Sequence, residues 1–486
     1  MRKYVMLFIF CASPLSAAVP VCNVPQQYQQ ERKGPLGQQL LNAAKKNTPT
    51  LFRSLLMQAV KTYKGNKEEF FNVINMRDED SFNIILYASL INDLENLAII
   101  FDALEEFYKN DPEGAFEYLI TRDKRGLSVL GLAEYGADQR IVELILMRAM
   151  NLIGSNKKLF FKFITAADHE GNRPLGDAVF DAEFRNVEMM VKVAAHILGK
   201  DSPEFKEFLN VEESSGNNAL SYAHNIRIKL FLEKYGAEMP VSKTRLKAAN
   251  VQAEKYGLAL NEASNHYDFK KFKELLSKAK DFKEDDYAAF TYFSARNGAG
   301  WNPFINTAAD GQYKYLKALL KTVDSIFDKE DKETKSLLLS NADFEGRTPL
   351  HLAILRRHWH VGHLLIDTVT RYAINKPFLY AVLSVANELN GFTPFINAIY
   401  ASGQFDDDVY DFIKFFIERA ENLFGRDSRM FYLFLNTRDY NGWNPLSYAS
   451  DDQLKKLLKS YGAIDTPMPR YKGVGKFKKL ELEGDM

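Results

Sequence analysis

Cysteine is almost absent from this chain: there are two in 486 residues, Cys11 and Cys22. A disulfide framework is therefore excluded as its source of stability. Tryptophan is scarce, at three copies, and neither sign of charge is in excess, since Lys+Arg and Asp+Glu both number 63. Such a balance gives no global electrostatic reason to expect nucleic acid or an acidic membrane as partner. The chain also lacks a glycine-rich phosphate loop, a nucleophile elbow, an HExxH pair and a paired-cysteine metal motif. No catalytic constellation is written in it, and no cofactor is expected.

Aromatic side chains are plentiful, with 36 Phe and 24 Tyr, so the chain has the apolar surface to build a core over most of its length. Residues 1–18 read as a secretory signal: Arg2 and Lys3 precede an apolar run from Tyr4 to Ala12, and Ser16-Ala17-Ala18 offers a small-residue cleavage site. Phe10 before Cys11 is too bulky for lipid attachment. After cleavage only Cys22 remains, in a polar spacer over residues 19–36. No later stretch is long and apolar enough to span a bilayer. The expectation is a secreted or periplasmic monomer of bacterial type, with no membrane segment after cleavage.

The stretch from Asp343 to Ala353, DFEGRTPLHLA, couples a tight turn to a short helix. Gly346 supplies left-handed backbone, Thr348 a helix cap, and Pro349 a first-turn residue whose missing N–H has no helical partner anyway. The same device returns at Ser81, Gly126, Gly171 and Gly216, each 45 residues apart, and again at Gly300, Gly346, Gly391 and Gly442, with spacings of 46, 45 and 51. Seven residues after each lies an alanine (Ala88, Ala133, Ala178, Ala223, Ala353, Ala398, Ala449), except Thr307 after Gly300. A small residue at a fixed point is what close helix stacking requires. A period of this length marks a repeat array.

These units resemble ankyrin repeats, most plainly from Thr348 to Ile366 (TPLHLAILRRHWHVGHLLI) and from Asn302 to Leu320. The resemblance implies antiparallel helix pairs, short projecting turns or hairpins, and an all-α solenoid over roughly residues 37–464. The units exceed the family's usual 33 residues by about a dozen. The excess lies between the second helix and the next turn, in Phe/Leu-rich runs such as Lys157 to Thr165 and Arg429 to Asn436, which predict a third short helix. Each half opens on a unit lacking the turn and closes alike, with LFLEKYGAEMP at Leu230 and KLLKSYGAIDTP at Lys456. The organisation read from this is a first block of about five units at 37–240, a helical connector at 241–258, a second block at 259–465 and a disordered tail at 466–486.

Function in such arrays lies on surfaces free of stacking duty. The residue after the turn glycine is one such position, and in the second block it is Trp301, Arg347, Phe392 and Trp443. Trp and Arg are enriched at interface hot spots, so this row predicts a binding surface for an unidentified protein, in a non-catalytic scaffold that on fold-level analogy engages host proteins. The competing reading is that the rings only seal the stack. Four of the eight histidines, His351, His358, His360 and His363, crowd into 13 positions and admit a rival reading as a metal-dependent enzyme site. The preferred reading makes His351 structural, with no metal. A structural part of the cell envelope is a third reading.

Overall fold

The computed structural model describes residues 35–465, apart from 241–247, 403–406 and positions 137, 182, 215, 224 and 330. The signal, most of the spacer including Cys22, and the tail lie outside the described residues. The protein is all-α: among the described residues there is no β-strand, only two isolated bridges, Lys46 with Ser428 and Arg122 with Ser128.

Six of the eight turns are built the same way, those at Gly216 and Gly391 departing from it. Asp123 Oδ1 accepts the N–H groups of Arg125 and Leu127, both at 2.9 Å, while Gly126 takes φ +84°. Asp168, Asp343 and Asp439 repeat this around Gly171, Gly346 and Gly442. Asn297 does so around Gly300. Ser81 holds the left-handed position in a non-glycine residue, at φ 66°. Two residues after the glycine comes the helix cap: Asn302, Thr348, Thr393 and Asn444 each accept the N–H three residues on, followed directly by Pro303, Pro349, Pro394 and Pro445.

A short first helix follows, then a longer second helix, then a third of eight or nine residues. The unit opening at Gly346, for example, comprises Pro349–Leu355, Trp359–Tyr372 and Lys376–Leu383. The extra residues of the long units thus form the third helix, as at Pro112–Leu119, Lys157–Ile164 and Pro203–Asn210. First helices pack on first helices in chain order: Ile84–Leu90 on Val129–Gly136 on Pro174–Phe180, and Pro303–Ala309 on Pro349–Leu355 on Pro394–Ala401. Ala88, Ala133, Ala178, Ala353 and Ala398 are buried at these contacts, where a larger side chain would force neighbouring helices apart. The boundary drawn at 258 falls inside one continuous helix, Ala248–Asn265, so the described part of the connector is the first helix of the second block.

The two blocks share one hydrophobic core, because the second folds back onto the first. Helix Lys376–Leu383 lies against Ile84–Leu90 and Val129–Gly136, and Arg429–Asn436 against Leu36–Lys45. Phe378 is the anchor, with its ring 5.2 Å from Tyr135 and 6.0 Å from Phe82 and the Arg125 guanidinium 3.7 Å from its centroid. Further along, Phe290 packs on Phe180 at 5.4 Å.

Candidate functional sites: the seam and the open face

The row read from the sequence does not form one exposed surface. Phe392 is only 6% exposed and lies between Tyr400 and Tyr448, at 5.6 and 5.1 Å. Trp301 packs on Ile305, Ala309 and Leu352, with Arg356 over its ring. Arg347 donates to Asp343 at 2.8 and 2.7 Å and pairs with Glu345. Trp443 alone stands out, 52% exposed. In the other three, packing within and between units has claimed the side chain, because a residue beside a tight turn touches the next turn one unit away.

The four histidines part company. His351 is buried; its Nδ1 meets the Thr348 hydroxyl at 2.9 Å and its Nε2 lies 3.0 Å from the Phe392 carbonyl. It thereby ties one unit to the next, and burial pushes its pKa down to about 4, leaving the ring neutral. His358 lies against Gly311, so close that a Cβ there would be 2.5 Å from its Nδ1. His363 packs between Phe412 and Phe415, and His360 near Tyr313. Among the described residues no three His, Cys, Asp or Glu side chains gather as a metal would need.

The seam between the blocks carries buried polar chemistry of its own, and its residues were not singled out by the sequence. Arg429 is wholly buried. Its Nε and Nη2 donate to the two oxygens of Asp93, its Nη2 also to Glu95, each at 2.8 Å, and its Nη1 to Asn47 at 2.7 Å. These acceptors hold the guanidinium charged, its pKa above the usual arginine range despite burial. Next along, Arg140 is held by Asp138 and donates to the carbonyls of Asp439 and Arg438 at 3.1 and 2.7 Å. Arg140 and Arg185 both lie 5.5 Å from the Tyr440 ring centroid.

Repeat register makes this arrangement intelligible. Twelve residues after the turn position the first block has Asp93, Asp138 and Glu183, where the second has Gln312 and His358. Thirteen residues before it, on the third helix, the first block exposes Glu68, Glu113, Lys158 and Pro203, while the second buries Phe378 and Arg429 against the first. That contrast was a signal available in the sequence.

Nine residues after the turn the two blocks differ again. Tyr135 and Phe180 of the first block meet Phe378 and Phe290 of the second. Of their counterparts in the second block, Ala309 is buried, while Leu355 and Tyr400 are 42% and 58% exposed. Two contact groups lie beside them: Tyr267, Asp310 and Arg356 over Trp301, and Tyr400 with Phe392 and Tyr448.

No family model matches the chain, and no curated protein matches it in sequence. No helix among the described residues is long and apolar enough to cross a membrane.

Proposed function

We propose that this is an exported, ankyrin-like, non-catalytic scaffold that binds a protein through the face its second block leaves open. One observation carries the reading. The same repeat position is covered in the first block by aromatic side chains of the second, and in the second block Leu355 and Tyr400 have no such cover. Aromatic and aliphatic side chains beside Arg356, with the exposed Trp443 on the turn whose Asp439 accepts the Tyr448 hydroxyl, have the composition of a protein interface rather than of a small-molecule cleft. Trp443 is retained from the sequence-derived row as a contact residue, while Trp301, Arg347 and Phe392 are assigned to shaping the surface from below. Export rests on the signal-like residues 1–18.

The test is capture of partners by the mature chain, with a photo-reactive group placed at Trp443, from lysate of candidate host cells. Leu355→Glu with Tyr400→Asp is the comparison. The same captured protein should be lost from the double variant while the chain still unfolds in one cooperative thermal transition, because both residues are exposed. Identical capture by both chains overturns the assignment.

A further inference from the structure

The docking of the second block on the first shows what kind of element the edge of such a block receives. On the first block the receiving positions lie where each first helix ends and each second helix starts. Nine residues after the turn position, Tyr135 and Phe180 take Phe378 and Phe290 of the second block. Twelve and fourteen residues after it, Asp93 and Glu95 take Arg429, and Arg140 donates to the carbonyls of Asp439 and Arg438. Phe290, Phe378 and Arg429 all arrive on short helices, Asp286–Ser294, Lys376–Leu383 and Arg429–Asn436, each of eight or nine residues.

On the second block the same positions keep the apolar part and change the charge. Leu355 and Tyr400 stand where Tyr135 and Phe180 do, and both are exposed. At the twelfth residue the carboxylates are gone: Gln312 bonds back to Ser264 at 3.0 and 2.9 Å, and His358 lies against Gly311. At the fourteenth, Lys314 and His360 are exposed, with Lys314 in the register position of Glu95. At the tenth, Arg356 takes the position that Asp181 has in the first block, exposed and 3.6 Å from Asp310 one unit back. A visiting helix that carried an arginine as Arg429–Asn436 does would meet cations here in place of Asp93 and Glu95, and like charge across an interface refuses it. A visitor with a carboxylate at that place would meet opposite charge.

We propose that the open face of the second block receives a short acidic amphipathic helix of a partner protein, with an aromatic or aliphatic side chain on Leu355 and Tyr400 and a carboxylate toward Lys314 and Arg356. This rests on the reading of that face as a protein-binding surface and adds the chemistry of what binds. The apolar side chains supply the anchor, spaced one turn apart on the visiting helix. The cations set which helices are accepted and speed their encounter more than they add to affinity. A second copy of this chain is a poor occupant, because its Phe378 and Arg429 are already buried in its own seam.

Selection of a helix-constrained random peptide library on the mature chain, with counter-selection on the Leu355→Glu, Tyr400→Asp variant, tests this. Peptides that depend on the face should carry Asp or Glu beside Phe, Leu or Trp. Their affinity should fall at least about threefold between about 50 and 300 mM NaCl, and at least about threefold on a Lys314→Glu, Arg356→Glu chain; should that chain not fold, the salt response decides. Face-dependent peptides that are neutral or basic, or that respond less to salt, overturn the proposal and leave the protein-binding reading standing. Finding no face-dependent peptide overturns it too, while the protein-binding reading is judged separately by capture at Trp443. Self-association in sedimentation that the Leu355→Glu, Tyr400→Asp variant loses, or peptide binding that appears only once residues 466–486 are removed, assigns the face to a second copy or to the chain's own tail and overturns it as well.

Discussion

Replacing Arg429 by alanine is the sharpest probe of how the blocks are held. The side chain and its partner Asp93 are both inaccessible to solvent, so the variant leaves a carboxylate buried with its main counter-charge gone. Asp93 would keep only the N–H and side-chain amide of Asn96, at 3.2 and 2.7 Å. Removing one member of a buried pair costs about 3–5 kcal/mol, most of it the cost of the stranded charge rather than the worth of the pair. Urea unfolding at pH 7 should show that loss in the midpoint. A second variant separates the two contributions: Asp93→Asn together with Arg429→Met leaves no buried charge at Asp93 and keeps the cap on Asn96, and should recover more than half of the loss. If Arg429→Ala costs less than about 1 kcal/mol, the pair is solvated and the blocks are not docked as described.

The turn glycines offer a graded comparison. Gly346→Ala combines φ +72° with a Cβ that would lie 2.7 Å from the Glu388 nitrogen, whereas Gly442→Ala, at φ +88°, meets nothing within 4 Å. Gly442→Ala should cost about 1–2 kcal/mol from left-handed strain alone, and Gly346→Ala a further ~1–3 kcal/mol from overpacking against backbone, read as the difference in denaturation midpoints. His351 makes a pH prediction. Its folded pKa near 4 lies below the ordinary 6.5, so the unfolded chain binds the extra proton and this group's contribution to stability falls as pH drops from about 6.5 to 4. Buried carboxylates slope the opposite way. The contribution is therefore read as the wild-type curve minus that of His351→Gln, which should decline by up to ~3 kcal/mol across that window; a flat difference contradicts the buried neutral ring.

Much of the local structure was legible because each turn is a self-contained device. An Asp or Asn, a glycine three residues on and a Thr/Asn-Pro cap are short-range instructions, and the helices they start run where the apolar periodicity put them. The third helices were readable for the same reason. What periodicity could not convey was where those helices go. Phe378 meets Tyr135 and Arg429 meets Asp93 across gaps of hundreds of residues, and nothing within one unit encodes that distance. The candidate row failed at Phe392 and Trp301 for a related reason: position beside a turn says that a side chain projects, not what the next unit presents to it.

The account stands on the second block covering the first block's face, and the Lys46–Ser428 bridge tests it most directly. These residues pair across the seam in antiparallel fashion, which places their Cα atoms about 4.5–5.5 Å apart, within disulfide range. In a Cys22→Ser background, Lys46→Cys with Ser428→Cys should close quantitatively under mild oxidation as an intramolecular disulfide, and raise the urea midpoint. Failure to close, or closure only between molecules, would contradict the docked arrangement.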